Sequence, residues 1–173
     1  CGVWKGGSSM LMALSLLQCG DVSRILYLYD TFTGMTDPTE EDVIAWNGKS
    51  VSEKLADERR TGRNSLDSWS VGKDEVASNM LSTGYPEANI RLIAGDVCET
   101  LPREMPEKLA LLRLDTDWYA STAVELERLY PSLASGGVLI IDDYGHFKGA
   151  KKAVDEYFEQ LEVKPYLSRV DYT

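Results

Sequence analysis

Two short apolar runs, each followed by a pair of aspartates, constrain the fold more than any other feature of this sequence. Residues 109–119 read LALLRLDTDWY, and residues 138–146 read VLIIDDYGH. An apolar run of this length without alternation is typical of a strand buried on both faces of a parallel sheet. In open α/β sheets, ligands bind outside the carboxyl ends of the strands. We therefore expect the four aspartates to meet at one rim of a sheet: Asp115, Asp117, Asp142 and Asp143.

The chemistry of such a cluster is restricted by its charge. Carboxylates that crowd together repel one another, and each is harder to ionise unless a cation compensates. Mg²⁺ prefers oxygen ligands and is the natural partner of such a cluster. A single aspartate at a strand end is often only a helix cap or a turn former. Two acidic pairs after two apolar strands favour a site for a metal or a polar ligand.

A glycine-rich turn, CGVWKGGSS, opens the sequence and leads into a helix. Residues 1–7 are typical of a strand end and a turn, and Ser8 or Ser9 is expected to cap the helix. A glycine turn before a helix is a common nucleotide-binding arrangement, although a plain tight turn fits equally well. A second apolar run, residues 25–29, ends in Asp30, which either binds ribose hydroxyls or forms a turn.

Helical and extended patterns alternate along the rest of the chain. Helices are expected at residues 74–83 and 148–161, and Thr122 with Glu125 is expected to form a capping box for another. Strands are expected at residues 90–94, 109–114, 138–141 and 166–170. This alternation predicts one α/β domain of 173 residues with a doubly wound, mostly parallel sheet.

Residues 31–73 are the least regular stretch and are expected to form a lid-like insertion, because so long a connection is unusual in a compact domain. One or two short helices are expected within residues 43–60. Trp46 and Trp69 either contact a substrate or pack this stretch onto the rest of the domain.

The composition excludes some classes of partner. The formal net charge of −10 and the sequence pI near 4.6 argue against nucleic acid and against anionic membranes, both of which attract basic patches. Three cysteines without metal-binding spacing favour reduced thiols. With no signal peptide or membrane-spanning run visible, we expect a cytoplasmic protein. Both ends of the sequence are expected to be cut from something longer.

Five segments resemble the macrocin O-methyltransferase (TylF-type) family, whose members are class I S-adenosylmethionine-dependent methyltransferases. They are GVWKGGSSM (2–10), LYDTFTGM (28–35), GDVCETLP (95–102), LLRLDTDWYAST (111–122) and SGGVLIIDDYGHFKGAKKAVDEYF (135–158). The resemblance implies a Rossmann-like fold and Mg²⁺-dependent methylation of a hydroxyl on a small acceptor, a sugar or a glycosylated natural product.

The resemblance also implies a cofactor site for S-adenosylmethionine. The glycine turn is matched to the methionine part of the cofactor, Asp30 to its ribose and Asp96 to its adenine. The residues implied to bind the cofactor are Gly2, Trp4, Gly6, Gly7, Ser8, Asp30, Thr31, Asp96, Val97 and Asp115.

The metal and the catalytic groups are implied in the same way. The metal is expected between Asp115, Asp142 and Asp143. Asp117 resembles the general base, and Asp115 is a further catalytic candidate for that role. His146, the single histidine, is either a second candidate for the base or a capping or solvent-facing residue.

The sequence also departs from the family pattern. Family members carry a region ahead of the glycine motif that completes a central first strand, and most of that strand is expected to be absent here. Its loss would expose two neighbouring strand edges, which favours either a homo-oligomer or a fragment. Two alternatives stay open: a phosphohydrolase with Asp115 as nucleophile, and a non-catalytic nucleotide-binding fragment of the same fold.

Overall fold

Four strands form two parallel pairs in the residues that the structure describes. The structure is a computed structural model, and it describes residues 1–61 and 70–171. Strand β1 (Leu26–Asp30) pairs with β2 (Ile90–Ala94), and β3 (Leu109–Leu114) pairs with β4 (Leu133–Ile141). Parallel pairing with intervening helices confirms the α/β fold that the alternating patterns predict.

Six α-helices accompany these strands within the same ranges: α1 (Gly7–Gln18), α2 (Val51–Thr61), α3 (Lys73–Ser82), α4 (Val97–Thr100), α5 (Tyr119–Leu129) and α6 (Lys148–Glu159). Helix α6 buries Ala150, Ala153, Val154 and Phe158, which lie on one face at helical spacing. None of the described helices has the length and apolar character that a membrane span requires.

Alternate residues of β1 pack against helices on opposite faces of the sheet. Tyr29 lies in a core cluster with residues of β3, α5 and α6, whereas Leu28 lies in a second cluster with residues of α1 and α3. Neighbouring side chains of a strand point in opposite directions. Helices therefore cover both faces, and the sheet is doubly wound.

Residues 1 and 2 lie between the two strand pairs and connect them. The amino group of Cys1 donates to the carbonyl oxygen of Arg113 in β3, and the Gly2 N–H donates to the carbonyl oxygen of Tyr29 in β1, both at 2.9 Å. Beyond them, a cleft of about 900 Å³ lies between the edges of β1 and β3. This arrangement agrees with the predicted exposure of two neighbouring strand edges.

Two helix starts differ from the sequence expectation. Helix α1 begins at Gly7, with Gly6 at its N-cap in the left-handed conformation (φ 87°), so the expected cap at Ser8 or Ser9 is wrong. Helix α5 begins at Tyr119, so the expected capping box is wrong as well. Both of its members, Thr122 and Glu125, are buried inside the helix.

The expected strand at residues 166–170 is also wrong. These residues adopt no regular structure, and Tyr166 and Val170 are 91% and 95% exposed. An alternating pattern forms a strand only where a neighbouring strand edge supplies hydrogen bonds. Within residues 31–73, helix α2 confirms the expectation of a short helix, whereas Trp69 lies outside the described residues.

Gly2 is the position where a side chain would disturb the centre of the fold most directly. Its φ is +71°, and a Cβ atom there would lie 1.8 Å from the carbonyl oxygen of Asp115. We expect Gly2→Ala to lower the free energy of unfolding by about 1–3 kcal/mol, the usual cost of such backbone strain. Urea denaturation followed by circular dichroism measures the change.

Gly7→Ala is the matched control, because a Cβ atom at Gly7 would meet no described atom within 4 Å. Alanine is also a better helix former than glycine, so this variant should be as stable as the parent or more stable. An unchanged urea midpoint for Gly2→Ala would contradict the close approach of Gly2 to Asp115.

Candidate active site

A cavity of about 550 Å³ opens at the carboxyl ends of β1, β3 and β4. The acids that follow β3 and β4 line one wall, and parts of residues 34–55 line another. The carboxyl ends of parallel strands lie at the same edge of a sheet, which is where ligands bind in this fold class. All four aspartates expected at this rim contribute to the lining: Asp115, Asp117, Asp142 and Asp143.

Three of these aspartates form a cluster that suits a cation. One carboxylate oxygen from each of Asp115, Asp142 and Asp143 lies within 4.8 Å of the others. The Asp142 N–H donates to the carbonyl oxygen of Leu114 at 3.0 Å, which keeps the end of β4 beside the end of β3. This spacing allows a single cation to contact all three oxygens.

Asp143 provides a second and independent sign of a ligand. Its side chain is only 8% exposed, and among the described residues its Oδ2 atom has no hydrogen-bond partner. A buried carboxylate oxygen without a partner is costly, so such atoms usually face a bound ion or water. The donor set consists of oxygen atoms alone, which fits a hard divalent cation such as Mg²⁺.

Burial and mutual repulsion change the acidity of the cluster. The pKa of Asp115 is raised to about 7, mainly by burial and then by its hydrogen bond with Asp142, while the positive charge of Arg113 opposes the shift. The pKa of Asp143 is raised to about 6, mainly by burial and then by the charge of Asp142. These carboxyl groups therefore bind protons at a higher pH than an ordinary aspartate does, unless a cation is present.

Asp117 occupies an unusual backbone conformation for a residue with a side chain. Its φ of 67° lies in the left-handed region, which a non-glycine residue adopts at a cost. Burial raises its pKa well above the ordinary value, and the charges of Asp143 and Asp115 add to this effect. A raised proton affinity suits a carboxylate to accept a proton from a ligand, once a nearby cation keeps it ionised.

Arg113 links the acidic cluster to the glycine turn, and the sequence analysis did not identify this role. Its guanidinium donates to Asp115 at 2.6 Å and lies 3.2 Å from Asp142. It also approaches the carbonyl oxygen of Gly2 at 3.5 Å. The charge of Arg113, two residues before Asp115, was the available signal, but local sequence does not show that its side chain also reaches Asp142.

Glu125 supports the same loop from inside helix α5. Its carboxylate is fully buried, and the Thr116 hydroxyl donates to its two oxygens at 3.0 and 3.1 Å. Burial raises the pKa of Glu125 to about 7. Thr116 lies between Asp115 and Asp117, so Glu125 fixes the loop that presents both acids.

Asp42 ties the segment before α2 to the helix that follows the DTD motif. Its side chain is fully buried and accepts hydrogen bonds from the Tyr119 N–H at 2.8 Å and the Thr39 N–H at 2.7 Å. Asp42 therefore provides the N-terminal cap of α5 that local sequence does not supply. An acid within an irregular stretch gives no sequence signal for such a long-range cap.

The acid at the end of β1 organises the glycine turn. One carboxylate oxygen of Asp30 accepts from the N–H groups of Val3 and Trp4, at 2.7 and 3.2 Å. The other oxygen accepts from the Phe32 N–H at 2.8 Å. Asp30 thus borders the cavity while holding the turn in place, and its contact with a ribose stays a prediction.

The structure brings most of the predicted cofactor residues to this cavity but not all of them. The lining includes Gly2, Trp4, Asp30, Thr31, Asp96, Val97 and Asp115. Asp96 also caps α4, accepting from the Cys98 N–H at 2.8 Å. Gly6, Gly7 and Ser8 are not part of this lining, so their cofactor contacts stay predictions.

His146 lies at the other side of the acidic cluster. It is half-buried and lines the cavity, and its ring packs edge-to-face with Trp46 and Phe147, with centroids 4.5 and 4.4 Å apart. Its pKa is lowered mainly by burial and further by the charge of Lys54, whereas Asp142 opposes the shift. The structure thus places His146 beside the acids, and its catalytic role stays a prediction.

The fold and the site together define an α/β protein of Rossmann-like type with an acidic cavity at its strand ends. The family model described as macrocin O-methyltransferase (TylF) matches residues 1–173. The chain therefore belongs to the macrocin O-methyltransferase family, which confirms the resemblance of its motifs.

The chain is similar to three curated methyltransferases. It is 34% identical to demethyldecarbamoylnovobiocin O-methyltransferase of Streptomyces niveus, over 98% of this chain and 61% of that protein. It is 31% identical to 8-demethyl-8-(2,3-dimethoxy-alpha-L-rhamnosyl)-tetracenomycin-C 4'-O-methyltransferase of Streptomyces olivaceus, over 99% and 61%. It is 29% identical to mycinamicin III 3''-O-methyltransferase of Micromonospora griseorubida, over 98% and 63%. The chain thus spans about three fifths of their length.

Solved structures support the same fold. The O-methyltransferase NovP superimposes with a TM-score of 0.79 and 33% identity, over 98% of this chain and 66% of that chain. The calicheamicin methyltransferase CalS11 superimposes with a TM-score of 0.60 and 22% identity, over 91% and 62%. At 22% identity, the similarity to CalS11 supports the fold alone. Membership of a methyltransferase family sets aside the phosphohydrolase alternative.

The raised pKa values predict how stability depends on pH without added metal. Asp115 and Asp143 have pKa values of about 7 and about 6, against an ordinary value of 3.8. Above about pH 4 the unfolded chain therefore binds fewer protons than the folded chain, so stability falls as pH rises toward 7. We expect a lower Tm at about pH 7.5 than at about pH 5 in EDTA, measured by scanning calorimetry.

Asp143→Asn should reduce this fall, because it removes one titrating group and one like charge beside Asp115. Glu159→Gln makes the same charge change at an exposed position of α6 and should leave the fall intact. A Tm in EDTA that increases between about pH 5 and about pH 7.5 would contradict the burial of Asp115 and Asp143.

Proposed function

We propose that this chain provides the core of an S-adenosylmethionine-dependent, Mg²⁺-dependent O-methyltransferase that acts on a hydroxyl of a sugar or a glycosylated natural product. One observation carries the proposal. A cluster of three carboxylates, with a buried and unpartnered Asp143 oxygen, lies in the same cavity as Asp30 and Asp96. The site therefore joins a cation-binding end to an end that fits the cofactor the family implies.

The cofactor end is supported by its backbone geometry. Gly2 has a positive φ and no side chain, which lets the glycine turn approach the backbone of Asp115 closely. Trp4 lines the cavity on the same turn, and Asp30 fixes that turn. Together with Asp96 at the start of α4, these residues form a polar wall suited to a nucleoside.

The cation end supplies the second requirement. Asp115, Asp142 and Asp143 would hold the metal. S-adenosylmethionine supplies an electrophilic methyl group when bound, and a bound Mg²⁺ lowers the pKa of a hydroxyl that contacts it. The role of Arg113 is to hold Asp115 and Asp142 together, so that the site keeps its geometry when charges change.

Asp117 is the residue that we propose as proton acceptor. The hydroxyl oxygen of the acceptor forms a bond to the methyl carbon, the bond from that carbon to sulfur breaks, and the hydroxyl proton moves to the Asp117 carboxylate. The products are a methyl ether and S-adenosylhomocysteine. Enclosure among other acids raises the proton affinity of Asp117, which favours this transfer. His146 is the alternative acceptor, because it also faces Asp142.

A homo-oligomer is part of the proposal. Leu111, Val138 and Ile140 of β3 and β4 are partly exposed, at 38%, 51% and 39%. This apolar surface supports association with a further segment or subunit. A cytoplasmic location is proposed on composition alone.

Calorimetric titration with S-adenosylhomocysteine, in Mg²⁺ and again in EDTA, tests the cofactor site. Binding in both conditions is expected, because Asp30 and Asp96 at the cofactor end do not belong to the carboxylate cluster. Folded protein that fails to bind in either condition would overturn the cofactor assignment. Turnover is then tested with demethyldecarbamoylnovobiocin, mycinamicin III and methyl α-L-rhamnopyranoside, and its absence with all three would favour the non-catalytic alternative.

Asp142→Asn tests the metal site. We expect Mg²⁺ to bind at least about tenfold more weakly, or about 1.4 kcal/mol, because a neutral amide replaces a charged ligand. The affinity for S-adenosylhomocysteine should stay within about twofold. Both constants are measured by calorimetry, and turnover should fall with metal affinity.

Glu159→Gln is the control for the loss of one negative charge, since Glu159 is exposed at the end of α6. Glu159→Gln should change neither the dissociation constant of Mg²⁺ nor that of S-adenosylhomocysteine. Unaltered Mg²⁺ affinity in Asp142→Asn would show that Asp142 is not a metal ligand. If the variant binds neither Mg²⁺ nor S-adenosylhomocysteine, the role of Asp142 is structural.

A further inference from the structure

Trp46 is an aromatic side chain that lines the cavity and yet stays largely uncovered. It is 64% exposed, whereas Trp118, on the same side of the cavity, is 3% exposed. Trp118 packs with Ile44, Val51 and Leu55 in a core cluster that does not include Trp46. Trp118 therefore packs residues of this segment onto the domain, and Trp46 takes no part in that cluster.

The backbone that carries Trp46 is held in place. The segment folds back on itself through a bridge between Val43 and Ser50 and a hydrogen bond from the Ile44 N–H to the Lys49 carbonyl oxygen at 3.0 Å. Trp46 lies at the tip of this small hairpin. The exposure of Trp46 is thus a feature of an ordered turn.

The hairpin is also attached to the chain that follows the acidic pair. The Ala45 N–H donates to the His146 carbonyl oxygen at 2.9 Å, and the Lys148 N–H donates to the Val43 carbonyl oxygen at 2.8 Å. The Trp46 and His146 rings then meet edge-to-face at 85°, with centroids 4.5 Å apart. Through His146, the indole is fixed relative to the loop that carries the proposed metal ligands.

We propose that the indole face of Trp46, supported by His146, is the binding platform for the sugar ring of the methyl acceptor. This inference rests on the proposed function and adds the residue that binds the acceptor. A pyranose has faces of C–H groups and a rim of hydroxyls. The electron-rich face of an indole attracts the C–H groups, while the carboxylates of the cavity bind hydroxyls at the rim.

The position in the cavity favours the acceptor over the cofactor. Asp30 and Asp96 mark the cofactor end, and Trp46 contacts His146, which follows the acidic pair Asp142 and Asp143 in the chain. A ligand on Trp46 would thus lie on the acceptor side of the proposed metal site. The platform orients the ring, and the acids receive one of its hydroxyls.

The test combines kinetics with nuclear magnetic resonance. In Trp46→Ala, we expect the KM for a glycoside acceptor to rise about tenfold, and in Trp46→Phe about threefold, since a smaller aromatic ring keeps part of the contact. The kcat and the dissociation constant of S-adenosylhomocysteine should stay within about twofold. Tyr166→Ala, which removes an aromatic ring that is 91% exposed and outside the cavity lining, should change none of these values.

The magnetic resonance experiment locates the contact directly. The indole N–H signal of Trp46 in ¹⁵N-labelled protein is the one that disappears in Trp46→Phe. Demethyldecarbamoylnovobiocin, mycinamicin III and methyl α-L-rhamnopyranoside are then added in turn, with and without S-adenosylhomocysteine. A shift of this signal by a glycoside, together with the rise in KM, supports the platform.

Three results would overturn the platform: an unchanged KM in Trp46→Ala, weaker S-adenosylhomocysteine binding in that variant, or no shift of the Trp46 signal with any glycoside. The second result would place the cofactor on Trp46. If the parent protein fails to bind S-adenosylhomocysteine, the proposed function is overturned instead. The titration with a glycoside alone would still show whether the Trp46 indole signal shifts, and so would still decide the role of Trp46.

Discussion

Repulsion between carboxylates at the ends of β3 and β4 is the interaction on which the rest of the site depends. At about 4 Å, two ionised carboxylates near a protein surface repel by about 4 kcal/mol, which is a large part of the typical stability of about 5–15 kcal/mol. The oxygens of Asp115, Asp142 and Asp143 lie within 4.8 Å of one another. Protons, the guanidinium of Arg113 or a bound cation must therefore compensate, and this requirement couples folding, pH and the proposed metal binding at one place.

Contacts from three separate parts of the chain hold these charges together. Arg113 comes from the strand itself and bridges two of the acids. Glu125 comes from α5 and holds Thr116 between the two acids of the DTD motif. Asp42 comes from the irregular segment and caps α5. Each of these three residues is at least partly buried, and each is held by partners that are distant in the chain.

The residues that line the cavity come partly from the ends of strands and partly from the segments that connect the strands and helices. The acids follow β3 and β4, whose backbone hydrogen bonds hold them in place, whereas Trp46 lies in a connection. Function commonly concentrates in loops that a scaffold positions. The hairpin of residues 43–50 combines both properties, because its backbone hydrogen bonds reach residues 146–148. A change of acceptor within the family would therefore alter this segment more readily than the acidic cluster.

The sequence by itself determined the strands that carry the site and the acids that follow them. Apolar runs, helical periodicity and strand-end aspartates are local patterns, so they predicted β3, α6 and the meeting of Asp115 with Asp142. They failed where the outcome depends on distant partners. Residues 166–170 have a strand pattern but no neighbouring edge, and Glu125 resembles a cap in sequence but is buried inside α5. Only the tertiary structure decided that Asp42 caps α5, that Arg113 bridges the acids and that Trp46 stays uncovered. These contacts join residues far apart in the chain, and local periodicity contains no information about them.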